Sequence, residues 1–346
     1  MGKIKIEDFL ALALNFPVFD VRSPGEYGHA HIPGAHNLPL FTDEERKLVG
    51  TAYKQQSREQ AIKLGLDYFG PKMRRMVEEV EEIVRNNKQH DSGDNANCVL
   101  VHCWRGGMRS SGVAWLLDLY GFKVYTLAGG YKSFRRWVLH QFENPYQFTV
   151  LGGYTGSGKT EVLKELSKAG NKVLDLESIA CHKGSAFGGL GEDKQPSQEL
   201  FENKLALALD MLSIEDNIWV EDESQSIGTV NLPKAIYNNM QQSPGYFLAI
   251  PFEERLNYIV KEYGKFTKEE LIAPIMRIQK RLGGQNTKNA VNALIEGDIK
   301  ESFRTLLAYY DKYYERSLEK RDKRLSTIIC EVVDAHTHGK KLAGKI

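Results

Sequence analysis

Residues 147–151 form an apolar, strand-like run that passes directly into Gly153-Tyr-Thr-Gly156-Ser157-Gly158-Lys159-Thr160, and a helix-forming stretch follows to residue 169. No other part of the chain limits its fold so strongly. The spacing G-x-x-x-x-G-K-[ST] between a strand and a helix is a phosphate cradle. Its glycines let backbone amides turn inward onto phosphate oxygens, and the positive end of the following helix adds to the attraction. Gly153, Gly156, Ser157 and Gly158 are the expected cradle. Lys159 would pair with the outer phosphates, and the Thr160 hydroxyl can hold a Mg²⁺ ion. Any diphosphate satisfies the same amides, so the loop alone does not specify a nucleotide. An acidic partner for the ion is expected where a neighbouring strand ends. Asp175 and Glu177 follow Val173-Leu174, and Glu221, Asp222 and Glu223 follow Ile218-Trp219-Val220. Thr160, Asp175 and Glu221 are the expected metal contacts, with helix capping and solvated turns as the alternative reading of these acids.

At 346 residues the chain exceeds the usual reach of one hydrophobic core, and two domains are expected: 1–143 and 144–346. Apolar strand-like runs near 18–21, 98–103, 123–127, 147–151, 172–176, 217–221, 246–250 and 327–333 alternate with helical patterns. The helical stretches include 42–86, 110–120, 198–212 and 300–324. That alternation predicts α/β architecture in both halves, with parallel sheets covered on both faces.

A second loop carries chemistry. Cys103 ends the run CVLVHC and opens Cys103-Trp104-Arg105-Gly106-Gly107-Met-Arg109-Ser110, ahead of a helix. Backbone amides, a helix N-terminus and two guanidinium groups all favour thiolate over thiol, so Cys103 is the expected nucleophile. Trp104, Gly106, Gly107 and Ser110 shape the anion loop, and Arg105 and Arg109 supply charge. Cys98, Cys181 and Cys330 read as structural. The four cysteines make no CxxC pair, which fits a reduced cytoplasmic compartment. The first twenty residues read as an opening helix and strand, with acids at Glu7 and Asp8 and no signal-peptide pattern. No apolar run is long enough to cross a bilayer, so no membrane partner is expected.

Asp20-Val-Arg22-Ser-Pro-Gly-Glu26-Tyr27, followed by His31-Ile-Pro-Gly34-Ala35 and Leu38-Pro39, resembles the opening signature of rhodanese (sulfurtransferase) domains. The Cys103 loop is similar to their persulfide-carrying loop. Ala30 stands where that signature usually has glycine, and the likeness covers about residues 10–140. A rhodanese-like domain followed by a P-loop NTPase-like domain is an unusual pairing. The loop 102–110, the strand-loop 151–160 and the run Asp175-Leu-Glu177…His182-Lys-Gly-Ser185…Phe187-Gly188 resemble, in order, the bacterial tRNA 2-selenouridine synthase family. Gln195-Pro-Ser-Gln198…Phe201-Glu202 and Glu223-Ser224…Ile227-Gly228 extend the likeness, with Lys183 in place of an expected arginine.

That resemblance implies conversion of 2-thiouridine at the tRNA wobble position to 2-selenouridine through an S-geranyl intermediate, with geranyl diphosphate and selenophosphate as substrates. Cys103 would carry selenium as a selanyl group, and the 153–160 loop would hold the departing diphosphate. No tightly bound cofactor is implied beyond Mg²⁺, and a selenophosphate-producing enzyme is a further implied partner. His182 is a candidate phosphate or acid/base contact, with a structural hydrogen-bonding role as its alternative. A competing reading is an ATP-dependent small-molecule kinase or sulfurtransferase with an accessory rhodanese domain.

Charge argues for restraint about RNA. The chain holds 46 Lys+Arg and 45 Asp+Glu, split 19 against 17 over residues 1–146 and 27 against 28 over the rest. Neither half is a basic platform, so tRNA must be held by local clusters. The candidates are Arg135 and Arg136, Arg277 and Arg281, and Arg321 and Arg324. Arg277 and Arg281 can alternatively close over the phosphates as lid arginines. Tyr309, Tyr310, Tyr313 and Tyr314 are candidates for base stacking, although such spacing more often packs a core.

Overall fold

The computed structural model describes residues 1–87, 97–318 and 324–345. The chain divides into two compact units, Met1–His140 and Gln141–Ile346. In the first, strands β1 (Gly2–Ile4), β2 (Val18–Asp20), β3 (His36–Asn37), β4 (Cys98–His102) and β5 (Lys123–Leu127) form one sheet in the order β1-β5-β4-β2-β3. Every pairing is parallel. Both faces of β4 are buried, as its unbroken apolar composition requires of a central parallel strand. Val99, Val101 and Cys103 face a core completed by Met76, Val80, Val113 and Leu117 from the helices Met73–Asn87 and Met108–Tyr120.

The helical pattern over 42–86 resolves into three helices, Asp43–Gln55, Arg58–Phe69 and Met73–Asn87. The Ser57 hydroxyl caps the second by accepting the Gln60 N–H, and Gly70-Pro71 turns the chain into the third. Apolar periodicity runs through these breaks because all three helices cover the same core. The sequence from Asn86 to Asn97 is polar and turn-forming, as in a surface loop, and its positions 88–96 lie outside the described residues.

The second unit holds β6 (Gln147–Gly153), β7 (Lys172–Leu174), β8 (Asn217–Glu221), a short hairpin of β9 (Ser226–Ile227) and β10 (Val230–Asn231), β11 (Gly245–Ala249) and β12 (Leu325–Ile329). Its main sheet runs β12-β11-β6-β8-β7, again entirely parallel. The expected α/β class with parallel sheets therefore holds in both units. Two strands are shorter than their apolar runs suggested. Asp175 starts a helix after Leu174, and β12 ends at Ile329. A helical layer packs beside the sheet: Phe252–Tyr263, Lys268–Arg277, Gln279–Leu282, Gly284–Glu296 and Ile299–Leu318. Its core contains Phe187, Leu256, Leu271, Leu294 and Phe303. No helix among the described residues is long and apolar enough to cross a membrane.

Candidate functional site

Cys103 sits just past the carboxyl end of β4, where the chain leaves the sheet and has not yet entered the helix Met108–Tyr120. Its side chain is buried, and Sγ lies 3.2 Å from the Ser110 hydroxyl. Burial opposes ionisation of the thiol. The Ser110 hydroxyl and the amides of Ser110, Gly107 and Arg105 outweigh that opposition and hold its pKa below the ordinary thiol range. The loop is held from behind by the turn after β5. Tyr131 N–H donates to the Cys103 carbonyl at 2.8 Å, and Lys132 N–H to that of Trp104 at 3.0 Å. Gly130 makes this approach feasible. It has φ +60°, and a Cβ there would lie 2.3 Å from the Cys103 oxygen and 2.4 Å from the Gly106 nitrogen.

The two arginines expected at this loop behave differently. Arg109 is committed to Glu26, with Nη1 donating to Oε2 at 2.7 Å, and Arg46 shares the same carboxylate at 3.0 Å. Burial raises the Glu26 carboxyl, but these guanidinium partners bring it below its usual range. Arg109 thus ties the loop helix to the segment 24–29, while Arg105 is exposed. Beneath the loop, Arg22 is fully buried, bonded to Asp20 at 2.6 Å and to the Ala30 carbonyl at 2.7 Å. Its guanidinium stacks on Tyr131 at 3.9 Å from the ring centre. Asp20 and Arg22 are therefore a buried structural pair under the loop rather than part of it.

The second loop leaves β6 at Gly153 and enters the helix Lys159–Lys168. Ser157 is buried, and its hydroxyl donates to the Tyr154 carbonyl. Lys159 Nζ donates to the Gly153 carbonyl at 3.2 Å, which folds the lysine back over the loop. Behind the loop, Arg255 is buried. It donates to the Thr155 carbonyl at 3.1 Å, forms a two-pronged pair with Asp311 at 2.9 and 2.6 Å, and lies over the Tyr154 ring at 4.8 Å. Sequence reasoning missed Arg255 and Asp311. They are 56 positions apart in the chain, and no motif marks either.

Thr160 meets acids, though not the pair expected. Its Oγ1 lies 2.8 Å from Glu177 Oε2 and 2.8 Å from Glu221 Oε1. Glu177, Glu221 and Glu223 bring carboxylate oxygens within 4.8 Å of one another. Asp175 is not among them. Its carboxylate accepts the Ser178 N–H at 2.9 Å as the N-cap of the short helix Leu176–Ala180, which aims Glu177 inward instead. Glu177 and Glu223 were visible in the sequence as neighbours of the expected residues, but only the helix register settles which acid points at Thr160.

A single hydroxyl proton cannot satisfy two carboxylates, and the electrostatics agree. Burial first, and then the Glu221 charge, pushes the Glu177 carboxyl up to about 8 against the pull of Lys159. Burial together with Glu221 and Glu177 drives Glu223 well above its usual range. The three side chains form an all-oxygen donor set beside a phosphate loop, which fits a hard divalent cation such as Mg²⁺. Gly184, with φ +63°, seats Glu223: a Cβ there would lie 2.7 Å from Oε1. Tyr314 closes the cluster from the helical layer. Its hydroxyl donates to the Asp222 carbonyl at 3.2 Å, and burial with the three glutamates raises its pKa.

The remaining expected residues scatter. The His182 ring packs against Gly188, 2.9 Å from the position of a Cβ there, and its buried Nδ1 has no hydrogen-bond partner among the described residues. Burial, and then Arg277, lower its pKa, so it is a neutral ring beside the cluster and not part of it. Arg277 donates to the Ala186 carbonyl at 3.3 Å, and Arg281 is exposed. Arg324 donates to the Gln241 carbonyl at 2.9 Å, and Arg321 lies outside the described residues. Arg136 is exposed near Gly129, with Arg135 one position before it on the same helix. Tyr309, Tyr310 and Tyr314 do not form a stacking row, and the Tyr313 side chain lies outside what is described. Tyr310 accepts the Ala186 N–H at 3.3 Å, Tyr309 packs on the helical core and Tyr314 turns to the acids.

Residues 6–136 match the family described as "Rhodanese-like domain", and residues 146–331 match "tRNA 2-selenouridine synthase AAA domain". A protein of Hydrogenovibrio crunogenus named tRNA 2-selenouridine synthase is 33% identical, covering 92% of this chain and 94% of its own length. Proteins with the same name from Pseudomonas fluorescens and Nitrosomonas europaea are 34% and 38% identical, covering 93% and 75% of this chain and 94% and 67% of their own. With both family matches in sequence order and relatives spanning nearly its full length, the chain belongs to the tRNA 2-selenouridine synthase family.

Proposed function

We propose that this protein converts 2-thiouridine at the wobble position of tRNA to 2-selenouridine in two transfers, one at each loop. In the first, the thiocarbonyl sulfur attacks C1 of geranyl diphosphate. The C–O bond breaks, diphosphate leaves with the electron pair and the N3 proton is lost, giving the S-geranyl nucleoside. The cradle of Gly153, Gly156, Ser157, Gly158 and Lys159 stabilises charge that develops on the leaving diphosphate, where preorganised donors act most strongly. A divalent cation, when bound, would neutralise part of that charge; Thr160, Glu177, Glu221 and Glu223 are the residues that would hold it.

In the second transfer, selenium replaces the S-geranyl group. The sum is balanced: S-geranyl nucleoside, selenophosphate and water give 2-selenouridine, geranylthiol and phosphate. Cys103 is the site at which selenium is held as a selanyl group, inside a loop whose amides and Ser110 hydroxyl stabilise negative charge; forming the S–Se bond from thiol and selenide-level selenium gives two electrons to a disulfide-class oxidant, and a thiol returns them when the S–Se bond is cleaved and selenium stays on C2. Arg105 is the exposed cation at its mouth. The cytoplasm, where tRNA and reduced thiols coexist, is the setting this chemistry requires.

The observation that carries the reading is the thiolate-stabilising shell around Cys103, in a chain that also bears a diphosphate cradle. An ATP-dependent kinase with an accessory rhodanese domain needs no activated cysteine. Nucleoside analysis of tRNA from a deletion strain, complemented with wild type, Cys103→Ala or Lys159→Ala, tests it. Deletion should abolish 2-selenouridine, and Cys103→Ala should fail to restore it while S-geranyl-2-thiouridine accumulates. Unchanged 2-selenouridine on deletion would overturn the assignment, and tight competition by ATP for the geranyl diphosphate site would favour the kinase reading.

A further inference from the structure

The second unit is almost charge-balanced overall, but one part of its helical layer is not. From residue 271 to 295 the chain contains Arg277, Lys280, Arg281 and Lys288 and no aspartate or glutamate. All four cations are exposed, and none forms an ion pair among the described residues. Two cations elsewhere on the same layer, Lys300 and Arg304, both pair with Glu253. Between the four lie uncharged hydrogen-bonding side chains, with Gln279, Gln285, Asn289 and Asn292 exposed. A surface groove between the helices Lys268–Arg277 and Gly284–Glu296 is lined by Gln279, Lys280, Thr287, Lys288 and Asn292.

The patch is connected to the carboxylate cluster. Arg277 holds the Ala186 carbonyl, Arg281 acts electrostatically on Tyr310, and Tyr310 receives the Ala186 N–H. Two residues before Ala186, Gly184 seats Glu223. A polyanion lying along these helices would therefore reach the segment 182–188, which seats Glu223 of the carboxylate cluster.

We propose that the surface formed by Arg277, Lys280, Arg281 and Lys288 is the docking site for the tRNA phosphate backbone, holding the substrate beside the Lys159 loop. The proposal rests on the reading of tRNA as substrate. Unpaired cations with no interspersed acids bind phosphates by releasing counterions, and amide side chains add hydrogen bonds to phosphate and ribose oxygens. The apolar side chains lining the groove are Met276 and Val291, and what sets the surface apart is its four cations with no acid among them.

The test is tRNA binding by the full chain as a function of salt, comparing wild type with Lys280→Ala/Arg281→Ala/Lys288→Ala. A control, Lys164→Ala/Lys168→Ala/Lys172→Ala, removes the same net charge from another exposed region of the same unit. The patch variant should bind tRNA at least about tenfold more weakly at about 0.1 M salt. The slope of log K against log salt should become shallower by about 2, and the control should stay near wild type. Geranyl diphosphate binding should be unchanged in both. Equal losses in the two variants, or wild-type affinity in the patch variant, would overturn the docking proposal alone. Failure of the wild-type protein to bind any tRNA would overturn the functional reading itself.

Discussion

The two loops share a plan and differ in where they keep negative charge. Each leaves the carboxyl end of a central parallel strand, turns through glycines and enters a helix, the arrangement that aims backbone amides at one point. Around Cys103 the anion is part of the protein, and every near neighbour is a donor. The acids on this side are already paired, Glu26 with Arg109 and Arg46 and Asp20 with Arg22. Around Lys159 the protein instead gathers three glutamates, two of them bonded to Thr160. A loop that stabilises a resident thiolate cannot tolerate free carboxylates. On the proposed function, a loop that receives a mobile diphosphate can keep them, because an arriving cation would convert them from a repulsive to a binding element. The same local fold would then serve a fixed charge in one unit and a transient charge in the other.

The comparison is most exposed at the supports. Gly130→Ala should be the most damaging single change at the Cys103 loop. The new Cβ would collide with the Cys103 oxygen and Gly106 nitrogen, both backbone atoms, from a left-handed conformation. A loss of about 4 kcal/mol or more in stability is expected, because neither strand β4 nor the following turn can retreat. Thermal unfolding of the first unit measures it. A near-wild-type melting curve would show that the loop is not clamped from behind.

The corresponding support of the Lys159 loop is Arg255. Arg255→Ala leaves Asp311 without its buried partner and frees the Thr155 carbonyl, and about 3–4 kcal/mol of destabilisation is expected. Arg255→Ala/Asp311→Ala should lose clearly less than the sum of the single changes, since the stranded charge is then gone. Strict additivity in chemical denaturation would refute the pairing as a brace.

At the loops themselves, Lys159→Ala should slow geranyl transfer by about 10²–10³-fold, roughly 3–4 kcal/mol, with protein stability unchanged. Single-turnover formation of the S-geranyl nucleoside is the readout. An equally large loss of selenium transfer from a pre-geranylated tRNA would break the separation of roles between the loops.

How much of this was legible beforehand follows a physical line. Both loops, both parallel sheets and the placement of Cys103 and Lys159 within those loops rest on contiguous residues whose spacing dictates geometry, and the sequence displays them. The carboxylate cluster was only half legible. Glu221 ends a strand as expected, but Glu177 replaces Asp175 because a single N-cap hydrogen bond starts a helix one residue past β7. Arg109 looked like an anion contact from its position in the loop, whereas Glu26, 83 positions earlier, claims it. Arg255 and Asp311 were invisible for the same reason. Long-range partners carry no local pattern, and their pairing exists only once the helical layer has packed. Tyr309, Tyr310 and Tyr314 illustrate the converse. Their helical spacing was compatible with base stacking, and packing turned them inward instead.

The smallest effect is also the sharpest test of the contrast between fixed and transient charge. Among the described residues Ser110 is the one side chain that bonds the Cys103 sulfur; its single hydroxyl proton also has the Gly107 carbonyl within reach at 3.1 Å, and the thiolate, as the charged acceptor, draws it away from that carbonyl. Burial pushes the thiol pKa up, and the hydrogen bonds pull it down past its ordinary value. Ser110→Ala removes one donor and leaves the backbone amides at position 110, Gly107 and Arg105 in place. The pKa should therefore rise without reaching that of a buried, unassisted thiol. A hydrogen bond to a charged acceptor contributes about 1.5–3 kcal/mol, enough for the rise to be measured. The sign also fixes the activity profile. A depressed thiol ionises earlier as pH rises, so the wild-type selenium-transfer rate should reach its plateau at lower pH than an ordinary thiol allows. In Ser110→Ala the climb should shift to higher pH and approach wild type in alkali. Thiolate absorbance of a variant lacking the other three cysteines gives the midpoint directly. A midpoint that does not move on Ser110→Ala would assign the stabilisation to the backbone alone and make the Cys103 loop, like its counterpart at Lys159, a cradle of amides.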